Sequence, residues 1–110
     1  MSVHSAQLYA GALTAGATNT VYTCPAGKRT IVKGITAFNG NAAASLQQLL
    51  VYSSGGTRLA TYQIHLGANG AAGDSASLTP WLVINAGQTL RAYAQQTAND
   101  MSISGAELTL

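Results

Sequence analysis

Turn-forming residues recur along this chain at intervals of roughly 8–12 residues, and the stretches between them are short and rich in Val, Ile, Thr and Tyr. Nothing constrains the fold more. Hardly any of these stretches shows the apolar repeat of three to four residues that a helix needs. The runs are Gln7–Ala10, Thr20–Cys24, Arg29–Phe38, Leu46–Tyr52, Thr57–Leu66, Ser75–Ile84, Thr89–Ala94 and Met101–Leu110. Between them stand turns with identifiable chemistry: Pro25-Ala26-Gly27, Asn39-Gly40-Asn41, Ser53-Ser54-Gly55-Gly56 and Asn85-Ala86-Gly87. Proline presets its own φ and glycine accepts positive φ, so these are places where the chain reverses. Leu46, Leu49 and Leu50 would also suit one face of a short helix. The Gly-Gly turn leading straight into Thr57–Leu66 argues instead for a β-hairpin.

Two positions break the pattern. Pro80 falls inside the sixth run and requires an edge position, a bulge or a break there. In the last run Met101 and Ile103 share one parity while Leu108 and Leu110 share the other, so a bulge at Gly105 is expected to restore the inward face. About eight strands at this spacing predict an all-β fold: a single-domain antiparallel β-sandwich over residues 1–110, jelly-roll-like. Gly67–Asp74 is expected to be an exposed, mobile loop. Residues 1–9 are either an arm that orders on docking or a frayed terminus.

Composition then limits function. Charged residues make up 7% of the 110 residues, against about 25% in an ordinary soluble domain. Five Lys and Arg against three Asp and Glu leave a net charge of +2. That is too little for direct nucleic-acid binding, where each phosphate contact needs its own cation. No apolar stretch reaches bilayer length, so no membrane partner is expected. The first residues lack the basic and apolar regions of a secretory signal, and synthesis in the cytoplasm is expected. Cys24 cannot form an internal disulfide and reads as a small buried hydrophobe.

Groups that do chemistry are few. Asp74 and Asp100 fall in turns, where Asp bonds its own backbone, and Glu107 reads as a solvated or interface residue. His4 and His65 lack metal-ligand spacing, and no nucleophile elbow or phosphate loop is present. No catalytic residue, cofactor or metal is expected, and the chain reads as a non-enzyme. Binding has more to draw on. Trp81 and Tyr62 are the candidates for stacking on a glycan, unless they pack in the core. Tyr9, Tyr62 and His65 are assigned to a subunit interface. Interface cores are poor in Lys, Glu and Asp, so an assembly subunit accounts for the low charge.

Three segments resemble the structural proteins of tailed bacteriophages. Thr20–Thr36 is similar to their V-Y-T-x-P-A-G-K-x-x-x-V/I-K-x-I stretch, with Cys24 where Val or Ala is usual. Trp81–Leu90 is similar to W-x-V-I/L-x-x-G-D/Q-x-L, and Met101–Leu108 to V-x-V-S-G-x-E-L. Order and spacing agree over most of the chain after residue 19. The resemblance implies a virion β-sandwich without catalytic residues, such as a capsid decoration (cement) protein on the exterior of the head. It implies a homotrimer bound to the major capsid protein and stabilising the shell. The alternative is a tail, connector or fibre-base component, with or without host-glycan binding; a fibre would normally carry a shaft.

Overall fold

The computed structural model describes residues 2–110; Met1, part of the expected arm, lies outside the described residues. Nine strands follow one another: β1 (Ser2–Ala12), β2 (Thr18–Thr23), β3 (Lys28–Asn39), β4 (Ser45–Tyr52), β5 (Arg58–Leu66), β6 (Ser75–Leu78), β7 (Leu82–Asn85), β8 (Thr89–Ala94) and β9 (Asn99–Thr109). No helix occurs among the described residues. One antiparallel sheet, here sheet A, has the order β1-β9-β3-β6, with β7 also on β3; the other, sheet B, has the order β2-β8-β4-β5.

The pairing is nested. β4 pairs with β5, β3 with β6 and β7, β2 with β8, and β1 with β9. The chain is thus one long hairpin, bent at Ser53–Gly56 and wrapped so that successive pairs fall alternately in the two sheets. That is the jelly roll, with β6 and β7 as two pieces of one strand. Pro80 makes the break, because it cannot donate to the ladder and Trp81 beside it takes φ 50. The sixth run is therefore two strands. The first strand is longer than its alternation foretold, because β9 supplies a ladder partner from Ser2 to Ala12 whatever the side chains.

Inward residues alternate as a sandwich requires. Val32, Ile35 and Ala37 of β3, Leu49 and Val51 of β4, Ile84, Leu90, Met101 and Ile103 form the middle of the core. Polar groups close both ends. At the end where Asn39 lies, Asn39, Gln47 and Asn99 are each fully buried. Asn99 Nδ2 donates to Asn39 Oδ1 at 2.9 Å and Gln47 Nε2 to Asn99 Oδ1 at 2.9 Å, while Asn39 Nδ2 holds the carbonyls of Ala43 and Gly67, both at 2.9 Å. The Gly67–Asp74 loop is exposed yet pinned, since Gly67 N donates to Gly73 O and Asn69 N to Asn41 O, each at 2.9 Å.

Gly105 does not act as foreseen. β9 alternates without interruption, and the extra residues sit in its neighbours: Leu8 in β1 and Lys33 in β3, both opposite Ile103–Gly105. A Cβ at Gly105 would run into the Ile31 carbonyl of β3, so the neighbouring backbone closes onto β9 there. Leu108 consequently stays on the outer face, Glu107 turns inward, and Leu110 remains exposed. Gly105→Ala should destabilise the protein by about 3 kcal/mol, the cost of forcing the ladder apart. Urea denaturation would measure it, and a loss below about 0.5 kcal/mol would show that the two strands separate freely.

Candidate docking surface

Near the Pro25 end, Tyr22 of β2 reaches across the sandwich and donates its hydroxyl hydrogen to Glu107 Oε2 at 2.6 Å. Thr30 Oγ1 lies 2.7 Å from the same phenol oxygen. The Thr30 hydroxyl hydrogen is shared between this phenol oxygen and Cys24 Sγ, to which Thr30 Oγ1 donates at 3.3 Å. The Cys24 thiol, 1% exposed, donates to the Lys28 carbonyl at 3.4 Å. Lys28 Nζ stands 3.9 Å from Glu107. Glu107 is therefore only partly solvated, with 17% of its side chain exposed. Unbroken alternation in β9 places it inside, where a phenol and an ammonium satisfy it.

Burial first, then the hydrogen bond to Glu107, push the Tyr22 phenol well above its ordinary value. Among the described residues no three His, Cys, Asp or Glu side chains come together. Asp74 caps its own loop, accepting from Gly70 N at 3.1 Å, as a turn aspartate does. Asp100 lies within β9 rather than in a turn, and is exposed.

The residues singled out from the sequence fall on separate surfaces. Tyr9 of β1 packs partly against the core and donates to Ala12 O at 2.9 Å. Tyr62 of β5 faces inward against the core, because the alternation that buries Ile64 and Leu66 turns it the same way. The ring is half-buried there. His65 is exposed on the outer side of sheet B, opposite Leu46. Trp81 stands free, 64% exposed, at the break between β6 and β7. These four residues form no single patch.

The two outer faces differ in kind. Sheet B presents Thr18, Tyr93, Gln48 and Gln63 in one row and Thr20, Arg91, Leu50 and Thr61 in the next. Arg91 lies over the Tyr52 ring at 4.0 Å, and Leu50 is only 4% exposed. Sheet A is apolar near the Pro25 end. Ladder partners set Val3 beside Leu108, Leu108 beside Arg29, and Ile31 beside Val83. The result is a diagonal from Val3 through Leu108 and Ile31 to Val83 and Trp81, crossing the sheet. Val3 is 67% exposed and Val83 48%.

Lys33 Nζ stands 5.7 Å from the centre of the Trp81 ring. Its left-handed backbone costs Trp81 about 1–2 kcal/mol, a strain that tertiary structure has to hold. The sequence singles out Trp81, whereas Ile31, Val83 and Leu108 read there only as strand residues and Val3 as part of the arm.

No family model and no curated protein matches this sequence. Solved structures do. The chain is similar to a chain in the structure of infectious bursal disease virus, Gx strain, at TM-score 0.53 and 14% identity, covering 96% of this chain and 31% of that one. It is also similar to the VP2 subviral particle of infectious bursal disease virus, at TM-score 0.46 and 14% identity over 96% of this chain and 31% of that one. A pentameric capsid protein from metagenomic phage sequences aligns at TM-score 0.39 and 17% identity, over 92% of this chain and 61% of that one. The likeness is one of fold. The chain spans less than a third of the length of the first viral chain it matches.

The Tyr22–Glu107 pair yields a pH prediction. A phenol whose proton is held more tightly in the folded than in the unfolded state stabilises the fold fully below the unfolded value. That contribution is lost as the pH rises past it. Stability should therefore fall as pH rises above about 10, the ordinary tyrosine value. The fall should be smaller in Tyr22→Phe, as urea denaturation of both proteins from pH 8 to 11 would show. Equal slopes would mean that the phenol ionises as freely folded as unfolded.

Proposed function

We propose that this protein is a non-enzymatic structural component of a virus particle. More specifically, it is a capsid decoration (cement) protein of a tailed phage that binds the exterior of the mature head, oligomerises there and stabilises the shell. The observation that carries the reading is the nested double-sheet jelly roll, a fold it has in common with a chain of a virus particle. Two further features support it. The polar interior is used up in closing the ends of the core, and an apolar strip lies open on sheet A, where a free-standing domain would expose only scattered apolar residues. The three segments similar to tailed-phage structural proteins point to the same class.

The mechanism is linkage. A subunit that binds only the expanded shell stabilises that state, by about 2.7 kcal/mol per site at a hundredfold excess over Kd. Purified protein added to bare mature heads should co-sediment with them and raise the temperature at which they release DNA. The homotrimer is tested by cryo-electron microscopy of the same heads. Absence of both occupancy and stabilisation at saturation would move the protein to the tail, connector or fibre base.

One observation favours a second reading, host-glycan binding in such a tail component: the open Trp81 indole with Lys33 beside it. A glycan array probed at millimolar protein tests it. Binding that disappears in Trp81→Ala would support this reading, and silence across the array would end it.

A further inference from the structure

We propose that the outer face of sheet A near the Pro25 end is the surface that docks on the shell. Its partner is a protein surface apolar at the centre and bordered by carboxylates. The inference rests on the structural reading above and adds to it the face and the partner's chemistry.

Two features converge there. Val3, Leu108, Ile31, Val83 and Trp81 line up across the strands of the sheet, and three of them are about half exposed or more. Trp81 is held with its indole outward by a backbone conformation that bulky residues avoid, and strain of this kind collects at functional positions. A large aromatic in an apolar setting is also the side chain that most often anchors a protein interface.

The exposed side-chain charge around the strip has one sign. Arg29 and Lys33 stand exposed among the apolar residues, and Lys28 begins the same strand. Glu107 is turned inward onto Tyr22 and Lys28. The other carboxylates, Asp74 and Asp100, open strands at the far end of the sandwich, and Asp100 lies about 27 Å along β9 from Leu108. A partner that buries this strip therefore has to bring carboxylates to its rim.

A second copy paired face to face does not meet that requirement, because it would set one cation-bearing face against another. A sugar fits poorly as well, because the neighbours of Trp81 on this face are Ile31, Val83 and Lys33, which offer one donor group for many hydroxyls. Nucleic acid would need more cations than these.

The test uses the full chain and mature heads of the phage that encodes it. Co-sedimentation would compare the parent protein with Trp81→Ala, Lys33→Glu and a control, Gln63→Glu, on the outer face of sheet B. Trp81→Ala and Lys33→Glu should each weaken binding at least tenfold. Gln63→Glu should leave it unchanged, and added salt should weaken the parent's binding. Hydroxyl-radical footprinting of the bound parent needs no variant and should show Trp81 and Val83 protected.

Heads that bind the parent while Trp81 and Val83 stay fully reactive would overturn the inference and leave the structural reading standing. Heads that do not bind the parent at all would overturn the inference together with the decoration reading. A parent that binds host glycans through Trp81, or forms dimers that protect Trp81 without heads, would assign the face to those occupants and overturn the inference.

Discussion

The close approach of β3 to β9 at Gly105 governs most of what distinguishes this molecule. Without a side chain there, the Ile31 carbonyl comes against the β9 backbone, and the strands on either side take up the mismatch with one extra residue each. β9 itself keeps a strict period of two. Its parity then sets the two surfaces that matter. Glu107 goes into the sandwich, where Tyr22 needs it, and Leu108 goes out to join Val3, Ile31 and Val83. A bulge in β9 instead would exchange these two residues, burying a leucine and exposing the carboxylate on the apolar face.

The interior follows a simple division. Aliphatic side chains fill the middle, and each end is closed by polar groups that bond one another: amides at the Asn39 end, a phenol, a hydroxyl and a carboxylate at the Pro25 end. Buried polar groups must be paired, so such closures specify where each strand stops and hold the register. One atom stands outside the pattern: Gln47 Oε1 is buried without a hydrogen-bond partner among the described residues, while Nε2 of the same amide faces three acceptors.

The surface is asymmetric in charge and in apolarity. The low charge content of the sequence has a spatial meaning. The cations Lys28, Arg29 and Arg58 stand where β3 and β5 begin, and the carboxylates Asp74 and Asp100 stand at the opposite end of the 45 Å long axis. With so few charges, their placement rather than their number gives the molecule its polarity.

Much of the architecture was legible in the sequence, for a physical reason. Turn chemistry is local: Pro25-Ala26-Gly27, Asn39-Gly40 and Ser53–Gly56 act through their own φ and hydrogen bonds, so the all-β class, the strand spacing, the break at Pro80 and the burial of Cys24 follow from neighbours in the chain. β1 was legible only in part, because its small polar residues have no alternation and its length is set by β9, about a hundred residues away. The nested pairing, the inward turn of Glu107 and Tyr62, and the assembly of Val3, Ile31, Val83, Leu108 and Trp81 into one strip are decided between strands distant in sequence. Parity across a sheet depends on where bulges fall in both partners. A single chain read from end to end does not contain that information until the strands are paired.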